Sequence, residues 1–121
     1  MHVTNIELHG FKSFAKKTSL DFLPPKDEKN SVTVIVGPNG SGKSNISDAI
    51  RWVMGEQSMR QLRGKKVSDI IFSGSESKGA MSVASVFITL DNHDGRMPID
   101  YEEVVIGRRI YKTGESEYLI N

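Results

Sequence analysis

The sequence of 121 residues contains no cysteine, and only nine of its residues are aromatic: five phenylalanines, three tyrosines and one tryptophan. The absence of cysteine excludes disulfide bonds, thiolate zinc sites and cysteine nucleophiles. No apolar run approaches the roughly 20 residues that a membrane-spanning helix needs. The first residues, Met1–Glu7, lack the basic and apolar regions of a signal peptide. We therefore expect a cytoplasmic protein without a membrane partner.

A large net charge is also missing, since the formal value is only +1. The whole-chain charge therefore does not predict nucleic-acid binding. The charges are unevenly distributed, however, and this pattern indicates either two solvated surfaces or a local binding surface. Five bases fall within 16 positions and five acids within 13 later positions: Arg51, Arg60, Arg63, Lys65 and Lys66, then Asp91, Asp94, Asp100, Glu102 and Glu103.

The hydrophobic pattern predicts one helix among several strands. The β-branched run Ser31–Val36 ends at Gly37, as a buried strand would. Apolar residues recur every three to four positions over residues 43–55, which predicts an amphipathic helix. Further strands are predicted at residues 3–8, 16–23, 83–90, 101–106, 109–112 and 118–120, with a short strand or turn at 70–72. The expected fold class is therefore mixed α/β with more strand than helix.

The segment between the predicted strand and helix fits the pattern G-x-x-x-x-G-K-[ST] of a phosphate-binding loop. Glycines let successive backbone N–H groups approach phosphate oxygens without obstruction by a Cβ atom. Lys43 would place a charge at the β- and γ-phosphates, and the Ser44 hydroxyl would coordinate Mg²⁺. The alternative is a glycine-rich turn that binds nothing. The predicted phosphate-binding residues are Gly37, Pro38, Asn39, Gly40, Ser41, Gly42, Lys43 and Ser44.

Hydrolysis also needs an acidic group for the metal and a group that positions water. The best candidate is Asp91, which follows an apolar run, but Asn92 and a turn come next, so we interpret Asp91 as a turn residue. Trp52 adjoins the apolar face of the predicted helix, which favours a place in the core. The three histidines lie far apart in the sequence, and we expect structural roles for them. The chain thus carries one half of an ATPase site.

Several sequence blocks around the loop resemble a known family. They lie at residues 10–14, 37–45, 48–58, 62–64, 69–75 and 114–121. Together they are similar to the N-terminal half of the ATPase head of structural maintenance of chromosomes (SMC) proteins, in particular the prokaryotic condensin type. The loop alone is shared with ABC-type ATPases, RecF and RecN, whereas the flanking blocks are more specific. The polar segment at residues 24–30 is longer than this family's pattern leads us to expect.

The resemblance implies that residues 1–121 form the N-terminal (Walker A) lobe of an ABC-type P-loop ATPase head, β-rich with antiparallel hairpins around a strand–loop–helix unit. A C-terminal lobe of the same protein, beyond a coiled coil and hinge, would supply the signature motif, the Walker B Asp and the catalytic Glu. Heads would pair around ATP and drive chromosome condensation and segregation. The implied partners are a second SMC head, a kleisin with its associated subunits, and double-stranded DNA in the nucleoid. This lobe alone is expected to bind ATP and Mg²⁺ without efficient hydrolysis.

The resemblance also implies roles for residues outside the loop motif. Asn45, Lys12 and Ser13 would lie beside the nucleotide. Arg63 matches an arginine that links DNA sensing to hydrolysis. Lys65 and Lys66 would lie near the DNA-facing surface.

Other function classes make different demands on the sequence. A P-loop kinase would need an arginine-rich lid and an acceptor pocket, and a GTPase would need an Asn-Lys-x-Asp-like guanine motif. The sequence shows neither. A third class is a non-catalytic module whose activity is to dock a complementary chain. Exposed apolar surface on the isolated chain would favour this class.

Overall fold

The computed structural model describes residues 1–25 and 32–121, which form five strands and one α-helix. The strands are β1 (His2–His9), β2 (Thr18–Asp21), β3 (Val83–Asp91), β4 (Glu103–Tyr111) and β5 (Ser116–Ile120). They form one antiparallel sheet in the order β2-β1-β3-β4-β5. The helix α1 spans Lys43–Val53, and a 3-10 turn spans Val67–Ile70. No helix in these ranges is long and apolar enough to cross a membrane.

The sheet buries one face because its strands alternate in polarity. Along β3, Ala84, Val86, Ile88 and Leu90 are buried, and the residues between them are only half-buried. The register places Ile88 opposite both Ile6 and Ile106. Since successive side chains of a strand point to opposite faces, this register gathers the apolar residues on the face that α1 covers.

The helix forms where the pattern predicts it. Its apolar residues Ile46, Ala49, Trp52 and Val53 are buried, and they recur at helical spacing. Gly55 has a φ of 110° just beyond the last turn, as is common for a glycine that ends a helix. The Trp52 ring lies 5.5 Å from that of Phe11 between centroids. The prediction that Trp52 belongs to the core is therefore confirmed.

A buried arginine joins the C-terminal end of α1 to the sheet. The Arg108 guanidinium stacks between the rings of Trp52 and Tyr118, at 4.8 and 4.7 Å from their centroids. Its Nη1 donates to the carbonyl oxygens of Trp52 and Glu56 at 2.8 and 2.9 Å. Burial lowers the pKa of Arg108. A helix carries partial negative charge at its C-terminal end, so the positive guanidinium stabilises the packing of this end of α1 against β4.

The predicted strand before the phosphate loop is not present over residues 32–36. Val32, Val34 and Val36 are 86, 76 and 87% exposed, and this run pairs with none of the five strands. Ser31 and most of the polar segment 24–30 lie outside the described residues. The prediction of a buried strand here is wrong for this chain. A β-branched run becomes a strand only where neighbouring strands satisfy its backbone groups, and no strand of the described part of the chain reaches this one.

One smaller expectation also needs correction. The strands predicted at 101–106 and 109–112 are one strand, β4, which runs through Gly107. A Cβ atom at Gly107 would lie 2.4 Å from the Phe87 ring, so this glycine makes room for the ring and does not break the strand. The short strand or turn predicted at residues 70–72 is confirmed, since the 3-10 turn ends at Ile70 and Ile71 forms an isolated bridge with Phe11. Asp91 ends β3, and its carboxylate accepts the N–H of His93, as expected of a turn residue.

Candidate nucleotide site

The glycine-rich loop leads directly into α1. Gly40 and Gly42 have φ angles of 81° and 95°, a region that residues with a Cβ atom rarely adopt. A Cβ atom at Gly42 would also lie 2.8 Å from Ser13 Oγ and 3.3 Å from the Phe14 ring. Glycine is therefore required at position 42 both by the backbone conformation and by the approach of the β1–β2 connection.

The first turn of α1 has the properties of an anion-binding helix end. It begins with Lys43, Ser44 and Asn45, contains no acidic residue, and lacks a side-chain cap on its backbone N–H groups. Ser44 is exposed. The Lys43 ammonium donates to the carbonyl oxygen of Gly37, across the loop. Backbone donors, the helix dipole and a lysine charge thus converge on one side of the loop.

The structure brings both Ser13 and Lys12 to α1, at different turns. Asn45 Nδ2 donates to Ser13 Oγ at 2.8 Å. The Lys12 ammonium donates to Asp48 Oδ2 at 2.7 Å and to the carbonyl oxygen of Leu62. Ser13 therefore contacts the first turn of α1, whereas Lys12 is held by the second turn and by the segment that follows the helix.

Arg63 reaches back from that segment to the first turn of the helix. Its Nη1 donates to Ser44 Oγ at 3.0 Å, and its Nη2 donates to Asn45 Oδ1 at 3.0 Å. Its Nε donates to Asp48 Oδ2 at 3.1 Å. The Arg63 side chain is 51% exposed, so it remains open to solvent on one side. The guanidinium thus touches the hydroxyl predicted to coordinate Mg²⁺.

Asp48 is a residue of this site that sequence reasoning missed. It is only 4% exposed, although it is charged. Burial alone would raise the pKa of Asp48, but hydrogen bonds and charges from Arg63 and Lys12 outweigh burial and lower it. The available signal was its spacing, since Asp48 follows Ser44 by four residues and shares its side of the helix.

Lys65 and Lys66 lie at the surface beyond Arg63. Their backbone N–H groups donate to Asp69 Oδ2 at 2.8 and 2.9 Å, which fixes the start of the 3-10 turn. All five residues of the basic stretch are exposed, Arg51 and Arg60 included. This exposure leaves their side chains accessible, and a DNA contact remains a prediction.

The donor set fits a nucleotide polyphosphate with Mg²⁺. The loop and helix end supply backbone donors, Lys43 and Arg63 supply charge, and Ser44 supplies one oxygen ligand of the kind that Mg²⁺ takes. The carboxylate of Asp48 already accepts from two cations. The arrangement is suited to binding, and the described residues around the loop include no acid or base placed to activate water.

Comparisons with known proteins show the family of the chain. The RecF/RecN/SMC N terminal domain family matches residues 2–121. The chromosome partition protein Smc of Bacillus subtilis is 55% identical over 121 residues, which is all of this chain and 10% of that protein. The chain therefore spans about a tenth of the length of the curated relatives that it matches.

Solved structures show the same architecture. An SMC ATPase, from work on ATP-driven dimerization and DNA-stimulated activation, superposes with a TM-score of 0.90 at 42% identity, over 100% of this chain and 70% of that one. An Smc head bound to the C-winged helix domain of ScpA superposes with a TM-score of 0.91 at 43% identity, over 100% of this chain and 36% of that one. The chain therefore belongs to the RecF/RecN/SMC N-terminal domain family and corresponds to the N-terminal lobe of an SMC ATPase head.

Proposed function

We propose that this chain is the ATP-binding lobe of an SMC head that acts in chromosome condensation and segregation. The observation that carries the proposal is the loop Gly37–Ser44 at the unblocked N-terminus of α1, with Lys43 and Arg63 beside it. Backbone donors and two cations at one helix end match the charge and shape of a nucleoside triphosphate. ATP and Mg²⁺ are the proposed ligands.

Each residue of the site has a distinct proposed role. The loop N–H groups and Lys43 bind and orient the phosphates, and the Ser44 hydroxyl is a ligand of Mg²⁺. The metal ion, when bound, neutralises phosphate charge and orients the phosphates for attack by water. Asn45, Ser13 and Lys12 are proposed to lie beside the nucleotide. Arg63, which is next to Ser44, is proposed to link DNA binding to hydrolysis, with Lys65 and Lys66 on the DNA-facing surface.

A second lobe is needed to complete the head. The exposed run Val32–Val36 supports this proposal, because this β-branched run beside the phosphate loop pairs with none of the strands in residues 1–25 and 32–121. We propose that the C-terminal lobe of the same protein pairs with this run and brings the acidic and signature residues. The chain alone would then bind ATP but hydrolyse little.

Further partners are proposed from the relatives. One similar structure comes from a study of ATP-driven dimerization of SMC ATPases, and another is a head in complex with part of ScpA. We propose that this chain, in its complete head, likewise pairs with a second head and binds a kleisin with its associated subunits. Double-stranded DNA is a further proposed binding partner. The proposed location is the cytoplasm, in association with the nucleoid.

Replacement of Ser44 by alanine tests the proposed magnesium ligand. We expect Ser44→Ala to weaken Mg²⁺-dependent ATP binding about tenfold, because the loss of one metal ligand or its support costs roughly 10–100-fold in affinity. Binding of ATP to the complete head is measured by titration calorimetry with Mg²⁺ and with EDTA.

Ser47→Ala is the matched control for this experiment. Ser47 is an exposed serine of the same helix, three residues further on. We expect it to bind MgATP like the unsubstituted head. Equal affinities for Ser44→Ala and Ser47→Ala would exclude Ser44 as the metal ligand.

A further inference from the structure

We infer that Asp48 is a positioning residue, whose buried carboxylate holds the Arg63 guanidinium against Ser44 and Asn45 and thereby sets it for ATP turnover. The inference rests on the proposed function of the phosphate loop. It concerns a residue that takes no part in binding phosphate itself.

The first argument is convergence on one carboxylate oxygen. Asp48 Oδ2 accepts from Lys12 Nζ at 2.7 Å and from Arg63 Nε at 3.1 Å, and it also accepts from Arg63 Nη2. Lys12 belongs to the β1–β2 connection and Arg63 to the segment after α1. A single buried acid thus joins three segments of the chain at the helix end that carries the phosphate loop.

The second argument is backbone conformation. Lys12 and Arg63 have φ angles of 47° and 56°, which are unusual for residues with side chains. Such conformations persist where the surrounding contacts determine them, and they cluster at functional sites. Both residues at this site with that conformation place their side chains on Asp48. The acid therefore provides a contact that can hold two unfavourable backbone conformations in place.

The third argument is charge. The Asp48 side chain is 6% exposed, and that of Lys12 is 11% exposed, so this pair is shielded from water. The Arg63 side chain is 51% exposed and adds a second cation. One carboxylate with two cations leaves a net charge of +1 at the site. Asp48 can therefore orient Arg63 without cancelling the positive charge that attracts a phosphate.

The hydrogen bonds of Arg63 indicate that Asp48 orients the Arg63 guanidinium. Arg63 donates from Nη1 to Ser44, from Nη2 to both Asn45 and Asp48, and from Nε to Asp48. Its planar group can serve all three residues only in one orientation. Without Asp48, the half-exposed side chain would retain its charge but lose the contact that fixes its Nε edge. We therefore expect a loss in turnover rate that exceeds the loss in ATP affinity.

A double-mutant cycle in the complete head tests this inference. Asp48→Asn is expected to lower kcat for DNA-stimulated ATP turnover about tenfold, with KM for ATP changed less than about threefold. On an Arg63→Ala background, the same substitution is expected to change kcat less than about twofold, because residues that act through one contact are not additive. The role of Asp48 would be overturned if Asp48→Asn lowered kcat by the same factor in the unsubstituted head and in Arg63→Ala, or if it lowered kcat in neither.

Controls separate this result from a folding defect. Glu117→Gln removes another carboxylate that pairs with an arginine, Arg109 at 2.8 Å, on the opposite face of the sheet. We expect it to leave kcat unchanged. Arg63→Lys, at an exposed position, keeps the charge but cannot make the three contacts together. It is expected to resemble Arg63→Ala, and turnover like that of the unsubstituted head would overturn the inference even if Asp48→Asn does not fold.

The rate of proteolysis at Arg63 tests the inference without a measurement of ATP turnover. Trypsin cleavage after Arg63, in the absence of nucleotide, is expected to be several-fold faster in Asp48→Asn than in the unsubstituted head, and unchanged in Glu117→Gln. Equal cleavage rates would overturn the inference. Calorimetric binding of MgATP to the unsubstituted head tests the proposed function separately. A head that binds no ATP would overturn that function, whereas binding with additive kinetics would overturn only the role of Asp48.

Discussion

Lys43→Ala is expected to lower the affinity for ATP about 100-fold, since hydrogen bonds to charged groups contribute about 1.5–3 kcal/mol each. The Lys43 ammonium donates to the carbonyl oxygen of Gly37. This contact holds the side chain across the loop, beside the space where the phosphates would lie. Binding is measured by calorimetry on the complete head, with ATP and Mg²⁺.

The fold should survive this substitution, because Lys43 is only partly buried and lies at the first position of α1. Lys112→Ala is the matched control, since Lys112 is an exposed lysine in the connection between β4 and β5. We expect its affinity for ATP to equal that of the unsubstituted head. An unchanged affinity in Lys43→Ala would remove the assignment of the phosphate loop.

Trp52→Ala is expected to lower the free energy of unfolding by about 3–5 kcal/mol, the usual cost of truncating a large buried aromatic side chain. Trp52 is 1% exposed, contacts the Phe11 ring and stacks on Arg108. Its removal would leave a cavity between α1 and the sheet and would uncover one face of a buried guanidinium. Urea unfolding followed by far-ultraviolet circular dichroism measures the change, since the variant lacks the only tryptophan.

Tyr101→Ala is the comparison for this stability measurement. Tyr101 is 62% exposed, so its loss should change the free energy of unfolding by less than about 0.5 kcal/mol. A Trp52→Ala variant that lost no more stability than Tyr101→Ala would contradict the core that we describe. The prediction is confined to packing and does not depend on the proposed function.

Local patterns predicted much of this fold. The helix at 43–55 was found because its apolar residues recur at helical spacing and Gly55 follows it. The strand predicted at 83–90 corresponds to β3, in which burial alternates residue by residue. The phosphate-loop motif is visible in the sequence because its glycines and Lys43 fall within seven successive positions, 37–43. In each case the determining contacts lie within a few residues of one another.

The remaining features depend on contacts between distant residues. The run Val32–Val36 has the composition of a strand, yet pairing requires a neighbouring strand, and none of the five strands that the structure describes pairs with it. Arg108 looks like a surface residue until the register of β4 turns it toward Trp52. Asp48 was missed as a site residue because its partners, Lys12 and Arg63, are 36 and 15 residues away. No spacing rule connects such residues before the fold is known.

The central claim is that this chain is one half of an ATPase, and ATP turnover tests it most directly. The rate is measured for this chain alone, for the C-terminal lobe of the same protein alone, and for a mixture of the two. We predict turnover only in the mixture, because this chain supplies the phosphate loop and the other lobe supplies the acidic residues. Substantial turnover by this chain alone would contradict the account, since it would require a complete catalytic site within these 121 residues.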